Sequence, residues 1–183
     1  MLLNNSKGTL LLESLVTLVI LSVLMSIALP SFEGAIKRNA AETDSRLIHH
    51  ALLKAQSLAI TRGESVTLCY LKDSECDTGP GQVLHIAVRD STDTAKPKTK
   101  KLKALETVPL RSKSIISGSF GVPKITFNAL GHTQGPGTVV RCVDNTLYLR
   151  VTVNRIGRSY RKTERTDEPT KQKRYRKKCS SIL

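Results

Sequence analysis

Residues 7–32 read KGTLLLESLVTLVILSVLMSIALPSF, and this stretch decides the fold because it predicts a long apolar helix at the start of the chain. Between residues 10 and 29 the only charged side chain is that of Glu13. A run of this length is about what a helix needs to cross roughly 30 Å of hydrocarbon. Lys7 lies on its N-terminal side, so we expect the short leader in the cytoplasm and the rest of the chain across the membrane.

Glu13 is an unusual residue for such a span. An ionisable group in the apolar part of a bilayer costs about 2.5–3.5 kcal/mol at the centre and less near the edge, so it points to a function. The run is also too long for the apolar region of a secretory signal peptide, and no A-x-A-like cleavage site follows it. A plain single-pass anchor that tolerates an interfacial glutamate is the alternative.

A short leader that ends in Lys7-Gly8, a mature chain that begins at Thr9, and Glu13 as its fifth residue together resemble the type III signal of type IV pilins and pseudopilins. Pro30 falls where pilin helices commonly carry a proline. The resemblance implies cleavage after Gly8 by a prepilin peptidase, usually methylation of the new N-terminus, and packing of the apolar helices into a filament core. Glu13 would neutralise the amine of Thr9, its own or a neighbour's. Thr9 departs from the family, which usually has Phe or Met there.

The composition limits the classes of partner. The 183 residues carry a formal net charge of +14, which favours polyanions such as nucleic acid, anionic lipid or acidic glycan. The chain has no Trp, three Phe and four Tyr, and this scarcity argues against a stacking platform like that of single-strand-binding proteins. Beyond the leader and the apolar helix, one soluble domain of ordinary size remains.

The four cysteines are Cys69, Cys76, Cys142 and Cys179, and all follow the predicted membrane span, in a compartment expected to be oxidising. An even number predicts two disulfides, although four cysteines allow three connectivities. The C-x6-C spacing favours Cys69 with Cys76, which leaves Cys142 with Cys179. A zinc site is disfavoured because the chain has no C-x2-C pair, and we predict no metal and no cofactor.

The apolar spacing from residue 31 to residue 62 predicts that the helix continues as an amphipathic half and ends at Gly63. Its predicted buried face comprises Phe32, Ile36, Ala40, Leu47, Ala51, Ala55 and Leu58. Strands are then predicted at 66–71, 83–88, 125–128, 138–143 and 146–154, the last two around a two-residue turn at 144–145. Residues 105–110 predict an edge strand because Pro109 cannot donate to a central ladder.

A long N-terminal helix followed only by strands predicts an α+β fold. The membrane-spanning half of the helix precedes an amphipathic soluble half that packs on an antiparallel β-sheet, and a basic flexible C-terminal tail follows. With the pilin resemblance, the chain divides into a prepilin leader (1–8), a transmembrane or filament-core helix (9–30), a soluble pilin-like globular domain (31–154) and the basic tail (155–183).

Four further segments narrow the resemblance. The chain reads LLKAQSLAITRG at 52–63, VTLCY at 66–70, ITFNALG at 125–131 and NRIGR at 154–158. These segments are similar to the FimT/GspH group of minor pilins and pseudopilins. The group includes minor pilins of type IV pili and minor pseudopilins of type II secretion systems, and a shared fold does not separate the two.

The chain shows no catalytic pattern, since it has no Gly-rich phosphate loop, no nucleophile motif and no histidine paired with a carboxylate at useful spacing. We therefore predict a protein that is not an enzyme. Residues 155–178 instead hold eleven Lys or Arg against three acids. Lysine and arginine neutralise phosphates and release condensed counterions, which gives sequence-independent affinity for DNA. The candidate DNA-binding residues are Arg155, Arg158, Arg161, Lys162, Arg165, Lys171, Lys173, Arg174, Arg176, Lys177 and Lys178.

Some FimT-like minor pilins act as DNA receptors in natural transformation through a G-R-x-R motif in this tail. Gly157 and Arg158 match it, but Tyr160 stands where the second arginine would fall and Arg161 comes one residue later. The main hypothesis is a type IV minor pilin that binds extracellular duplex DNA. Its partners would be other pilin subunits, the prepilin peptidase, DNA and the inner membrane, with the soluble domain in the periplasm and later in the filament.

Two alternatives stay open at this point. The first is a structural minor pilin or a type II secretion minor pseudopilin that acts in filament assembly without binding DNA. The second concerns the tail alone, which would keep the protein soluble, touch anionic lipid or lie in a filament groove.

Overall fold

A computed structural model of the chain describes residues 7–89, 101–142 and 147–165, with most of their side chains. One helix, α1 (Lys7–Arg62), is followed by strands. The strands are β1 (Val66–Cys69), β2 (Leu71–Lys72), β3 (Glu75–Cys76), β4 (Gly81–Arg89), β5 (Leu102–Ser117), β6 (Lys124–Phe127), β7 (Gly137–Cys142), β8 (Leu147–Val153) and β9 (Ser159–Arg165). This order of a long helix and then antiparallel strands confirms the predicted α+β fold.

The chain divides into two compact units, residues 1–39 and residues 40–183. The first is the N-terminal part of α1, whose described apolar side chains, such as those of Leu15, Leu18 and Leu24, are exposed. Within the residues whose placement is described, no helix has a stretch both long and apolar enough to cross a membrane.

In the second unit, α1 packs on the sheet through small and aliphatic side chains. Ala41, Ile48, Ala51, Leu52, Ala55 and Ala59 are buried there. The predicted face is confirmed at Ala51 and Ala55. It is wrong at Phe32, Ile36 and Leu47, which are 66%, 65% and 37% exposed. The prediction followed apolar residues only, whereas the true face includes the polar Asp44 and Ser45. The predicted helix end is confirmed, because Gly63 has φ +66° and its N–H donates to the Ile60 carbonyl at 3.3 Å.

The main sheet is seven-stranded and antiparallel, in the order β6-β1-β4-β5-β7-β8-β9. Its helix-facing side forms the core with α1, where Leu68, Leu84, Ile86, Phe127 and Val151 are fully buried. Strands β2 and β3 form a separate small hairpin after β1. A disulfide between Cys69 and Cys76 closes this hairpin, which is the pairing that the C-x6-C spacing favours. The side chain of Cys142 and the whole of Cys179 lie outside the described residues, so their pairing stays a prediction.

Strand β5 corrects the prediction of an edge strand at residues 105–110. It is 16 residues long and lies in the middle of the sheet, where it pairs with β4 and, from Ile115 onward, with β7. Among the described residues, the half that contains Pro109 has ladder partners in β4 alone. Proline is tolerated there because, on the side of the strand that has no ladder partner, no backbone N–H has to donate a hydrogen bond to a neighbouring strand.

The hairpin of β7 and β8 is confirmed, but its register differs from the prediction. Val139 pairs with Val151 and Val140 with Arg150. A two-residue turn at 144–145 would instead place Val139 opposite Arg150. The observed register keeps the two buried valines on the core face, whereas a slip of one residue would bring Arg150 onto that face.

The predicted flexible tail is wrong for residues 159–165. These residues form β9, which pairs with β8 along its whole length, from Ser159 opposite Val153 to Arg165 opposite Leu147. The strand gains a ladder of backbone hydrogen bonds on β8 and needs little apolar burial of its own. A segment rich in charge therefore joins the sheet, and only residues 166–183 of the predicted tail lie outside the described residues.

A buried ion pair joins α1 to the sheet. Asp44 is fully buried, and its Oδ2 lies 3.3 Å from Nη1 of Arg141, whose side chain is 8% exposed. The same carboxylate accepts the backbone N–H of Arg111 at 3.0 Å and the hydroxyl of Ser112 at 3.3 Å. Burial lowers the pKa of Arg141, and the charge of Asp44 opposes that shift. The carboxylate thus connects the helix to both β5 and β7.

A second buried polar contact lies in the same region. The hydroxyl groups of Tyr70 and Ser114 are hydrogen-bonded to each other. Burial raises the pKa of Tyr70 to about 12, and the nearby negative charge of Asp44 adds to the shift. The shift extends the range over which the folded phenol stays neutral to about two pH units above the pKa of an ordinary tyrosine.

Candidate nucleic-acid interface

The described cations of the predicted DNA-binding segment lie on a turn and on the edge strand β9. Arg155 and Arg158 belong to the turn between β8 and β9, and Arg161 and Lys162 belong to β9. All four side chains are exposed. Arg165 ends β9, and its side chain is outside the described residues. The remaining predicted cations lie wholly outside them: Lys171, Lys173, Arg174, Arg176, Lys177 and Lys178.

Three hydrogen bonds fix the turn at residues 154–158. The N–H of Asn154 donates to the Arg158 carbonyl at 3.0 Å, and the N–H of Gly157 donates to the Asn154 carbonyl at 3.0 Å. The N–H of Arg158 donates to Oδ1 of Asn154 at 2.9 Å. Gly157 has φ +86°, a conformation that favours glycine. The side chains of Arg155 and Ile156 take no part in these bonds, so the backbone holds them out toward solvent.

A second turn, at residues 128–132, has the same construction. The N–H of Asn128 donates to the His132 carbonyl at 2.8 Å, and the N–H of Gly131 donates to the Asn128 carbonyl at 2.8 Å. The N–H of His132 donates to Oδ1 of Asn128 at 2.9 Å. Gly131 has φ +76°, as Gly157 does at the equivalent position. The sequences NALGH and NRIGR thus form twin turns, each with an exposed aliphatic residue at its third position.

The twin turns are joined to each other. Thr133, which follows the first turn, donates its N–H to the Arg155 carbonyl at 2.9 Å and its hydroxyl to the Asn154 carbonyl at 2.8 Å. The backbones approach so closely that a Cβ on Gly157 would lie 2.2 Å from the carbonyl oxygen of Gly131. The position therefore requires glycine for space as well as for its φ angle.

Helix α1 supports the twin turns through Gln56. Its side-chain Nε2 donates to the Gly131 carbonyl at 3.0 Å, and the same amide would lie 2.3 Å from a Cβ on Gly157. Gln56, Gly131 and Gly157 come from three of the segments that carried the FimT/GspH resemblance. Three of the segments that carried the resemblance therefore meet in one structural contact.

Helix α1 also borders β9. His49 donates its Nε2–H to the Ser159 carbonyl at 3.3 Å. Glu42 and Arg46 form an exposed ion pair at 2.7 Å. The pKa of Glu42 is lowered by the hydrogen bond from Arg46 first, by the charge of Arg46 next, and also by the charge of Arg161. Glu42 is therefore an anion beside the cations of the candidate interface.

The sequence pattern of the basic segment does not predict the contribution of α1. Arg46 and Arg161 are more than one hundred residues apart in the chain, and both act on Glu42. Only the packing of α1 against β9 brings them together. No local sequence signal marks Arg46 as part of this surface.

The alternation of β9 divides its cations between the two faces of the sheet. Arg161 pairs with Val151, whose side chain is in the core, so Arg161 lies on the helix side. Lys162 pairs with Arg150 on the opposite side. Among the described residues β9 has no strand partner beyond β8. The cations thus line both sides of one sheet edge.

The predicted filament residues lie in the first unit. Gly8, Thr9 and Glu13 belong to α1, and the side chain of Glu13 is exposed. The side chain of Thr9 lies outside the described set. Within the described parts of the chain, no three His, Cys, Asp or Glu side chains are close enough together to hold a metal ion.

The model of one protein family, described as type II transport protein GspH, matches residues 44–157. The chain belongs to the GspH family. This confirms the FimT/GspH resemblance of the sequence. The family match ends one residue before Arg158, so β9 and most of the basic segment lie beyond it.

Two solved structures are similar to the GspH-family chain, and the first of them shows the same fold. The type IV minor pilin FimU of Pseudomonas aeruginosa aligns with TM-score 0.50 and 20% identity, over 68% of this chain and 90% of that chain. The minor pseudopilin EpsH from the type 2 secretion system of Vibrio cholerae aligns with TM-score 0.42 and 14% identity, over 70% of this chain and 98% of that chain. No curated protein matches the sequence. The family match and the likeness to FimU together establish a GspH-family chain with a pilin-like fold.

Proposed function

We propose that this GspH-family protein is a minor pilin of a type IV pilus that captures extracellular duplex DNA for uptake in natural transformation. In this proposal a prepilin peptidase cleaves after Gly8, residues 10–29 anchor the protein in the inner membrane, and the helix then enters the filament. Glu13 neutralises an N-terminal amine during assembly. The turn at 154–158 and strand β9 hold the DNA.

One observation carries the DNA-binding part of the proposal. Arg155, Arg158, Arg161 and Lys162 are exposed on a hydrogen-bonded turn and a paired strand. Cations on fixed backbone lose less freedom on binding than cations on a loose tail. Arginine adds bidentate hydrogen bonds to phosphate oxygens. Contacts of this kind are made to the DNA backbone and carry no sequence preference of their own.

The proposal gives a definite salt dependence. If the four described cations each neutralise one phosphate of B-DNA, log K should fall with log salt at a slope of about −3.6. Contacts from Lys171 to Lys178 would make the slope steeper. A slope near zero is incompatible with phosphate binding by this surface.

A second function is favoured by the family match itself. The matching model is described as a type II transport protein, and it covers the domain without β9. The alternative is therefore a structural minor pilin or a GspH-like minor pseudopilin of a type II secretion system. Such a subunit would contact other subunits only, and its basic edge would serve assembly or solubility.

The test is fluorescence anisotropy of labelled duplex DNA titrated with the full chain in neutral-lipid nanodiscs, at several salt concentrations. The test variant is Arg155→Gln/Arg158→Gln/Arg161→Gln. The matched control, Lys72→Gln/Lys103→Gln/Lys113→Gln, removes the same charge from exposed positions elsewhere on the domain. We expect the test variant to lose about 1,000-fold in affinity at 0.1 M salt, since each of its three lost phosphate contacts costs roughly one log unit there.

The outcomes separate the two functions. Salt-sensitive binding that only the test variant loses supports DNA capture at the turn and β9. An equal loss in the control variant means that net charge alone attracts DNA. Absence of binding by the wild-type chain rejects DNA capture and leaves the assembly subunit. Glu42→Gln removes the anion beside Arg161 and should tighten binding by a few-fold if that edge holds DNA.

A further inference from the structure

Ile156 is an exposed aliphatic side chain in the middle of the basic turn. It is 69% exposed, and it lies between Arg155 on one side and Gly157 and Arg158 on the other. The side chains of both arginines are exposed. The three hydrogen bonds of the turn and the close packing of Gly157 on Gly131 fix the backbone on both sides of it. Ile156 therefore cannot turn inward to reach the core without breaking the turn.

The twin turn shows that this placement is not required by the turn itself. Leu130 occupies the equivalent position and is 74% exposed, but its neighbours are Ala129 and Gly131. The two turns share one backbone geometry and differ in the charges around the aliphatic side chain. Of the two turns, only the one at residues 154–158 has an exposed aliphatic side chain with an arginine on either side of it.

We infer that Ile156 is a wedge that enters a base step of duplex DNA while Arg155 and Arg158 hold the flanking phosphates. This inference rests on the proposed DNA binding and adds to it a contact with the bases. Proteins that bind the minor groove combine arginines with inserted aliphatic side chains, which unstack a base step and kink the duplex by about 20–90°. The turn presents the two arginines and the aliphatic side chain on a rigid backbone. Duplex DNA has a matching arrangement, because its apolar stacked bases lie between two rows of negatively charged phosphates.

The wedge predicts a preference that phosphate binding alone would not give. Pyrimidine–purine steps unstack most easily, so TpA and CpA steps should be the favoured points of insertion. The preference concerns deformability and needs no hydrogen bond to a base edge. Binding would thus stay broad in sequence while the DNA is bent at flexible steps.

The experiment follows base unstacking and DNA bending separately from binding. The full chain in neutral-lipid nanodiscs is titrated into a duplex that carries 2-aminopurine at a central TpA step and a donor–acceptor dye pair at its ends. Wild-type protein should raise the 2-aminopurine fluorescence and the energy transfer between the dyes. Ile156→Ser should abolish both signals yet keep the salt slope of binding, because no charge is removed.

Leu130→Ser is the matched control, since it removes an equally exposed aliphatic residue from the twin turn. It should keep binding, unstacking and bending. Neither side chain takes part in the hydrogen bonds of its turn, so both variants should fold.

Each other result overturns the inference. Salt-sensitive binding by the wild-type chain without either optical signal overturns the wedge and leaves DNA capture standing. If Leu130→Ser and Ile156→Ser lose both optical signals equally, unstacking and bending do not depend on Ile156 in particular. That result overturns the role of Ile156 as the wedge. Absence of any DNA binding overturns the wedge together with the proposed function, and the tip would then be examined as a contact between subunits.

Discussion

The buried carboxylate of Asp44 gives the sharpest prediction for stability. Replacing Asp44 with Ala removes one partner of a buried ion pair and leaves the guanidinium of Arg141 without a counter-charge. It also removes the acceptor of the Arg111 N–H and of the Ser112 hydroxyl. Breaking a buried pair in this way costs about 3–5 kcal/mol. At roughly 2–4 °C per kcal/mol for a chain of this size, the midpoint of thermal unfolding should fall by about 6–20 °C.

Two further variants separate the charge from the hydrogen bonds. Asp44→Asn keeps an acceptor for the Arg111 N–H but removes the charge, so it should be less harmful than Asp44→Ala. Asp44→Ala/Arg141→Leu removes both charges and should be more stable than Asp44→Ala alone, because no uncompensated charge stays buried.

Thermal unfolding of the full chain in detergent micelles, followed by circular dichroism, measures all three variants against wild type. A double variant less stable than Asp44→Ala would refute the coupling between Asp44 and Arg141. An Asp44→Ala midpoint equal to that of wild type would refute the burial of the pair.

Three other predictions concern separate parts of the chain. Burial raises the pKa of Tyr70 to about 12, whereas an unfolded tyrosine ionises near pH 10. The contribution of Tyr70 to stability should therefore be complete below about pH 10 and be lost as the pH rises toward 12. Tyr70→Phe should flatten that loss in thermal unfolding curves recorded across this range, and an unchanged pH dependence would contradict the assignment. Cys69→Ala/Cys76→Ala should lower the free energy of unfolding by about 2–3 kcal/mol, since the short loop would no longer be closed, and urea titration under oxidising conditions would measure it. Glu13→Ala should still insert into the membrane but be depleted from sheared filaments, and normal incorporation on immunoblots would count against charge neutralisation by Glu13.

Local features of the fold were predictable from the sequence. The end of α1 at Gly63 needs only a glycine after the last helical turn, and the disulfide of the β2–β3 hairpin needs only two cysteines at a short spacing. The strand character of β8 follows from its alternation, with Val151 and Val153 on the buried face. Each of these features is decided by residues within about ten positions of one another.

Features that depend on contacts between residues far apart in the sequence could not be predicted from a local pattern. Strand β9 looks like a charged tail because its stability comes from the ladder on β8, and no apolar pattern of its own marks it. Asp44 looks like a solvent-facing helix residue because its partner Arg141 is almost one hundred positions away. The sequence marks residues 155–165 as a basic segment, but the rigid turn, the two-sided strand edge and the neighbouring Glu42 and Arg46 emerge only from the packing.

The twin turns have a consequence for how binding activity is gained and lost during evolution. In both turns the hydrogen bonds use the backbone, the asparagine side chain and a glycine, so the second and third positions are free of folding constraints. Substitutions such as Ala to Arg at the second position should be nearly neutral for stability. A lineage can therefore acquire or discard a charged, aliphatic tip by one or two point mutations, while the filament subunit that carries it stays intact.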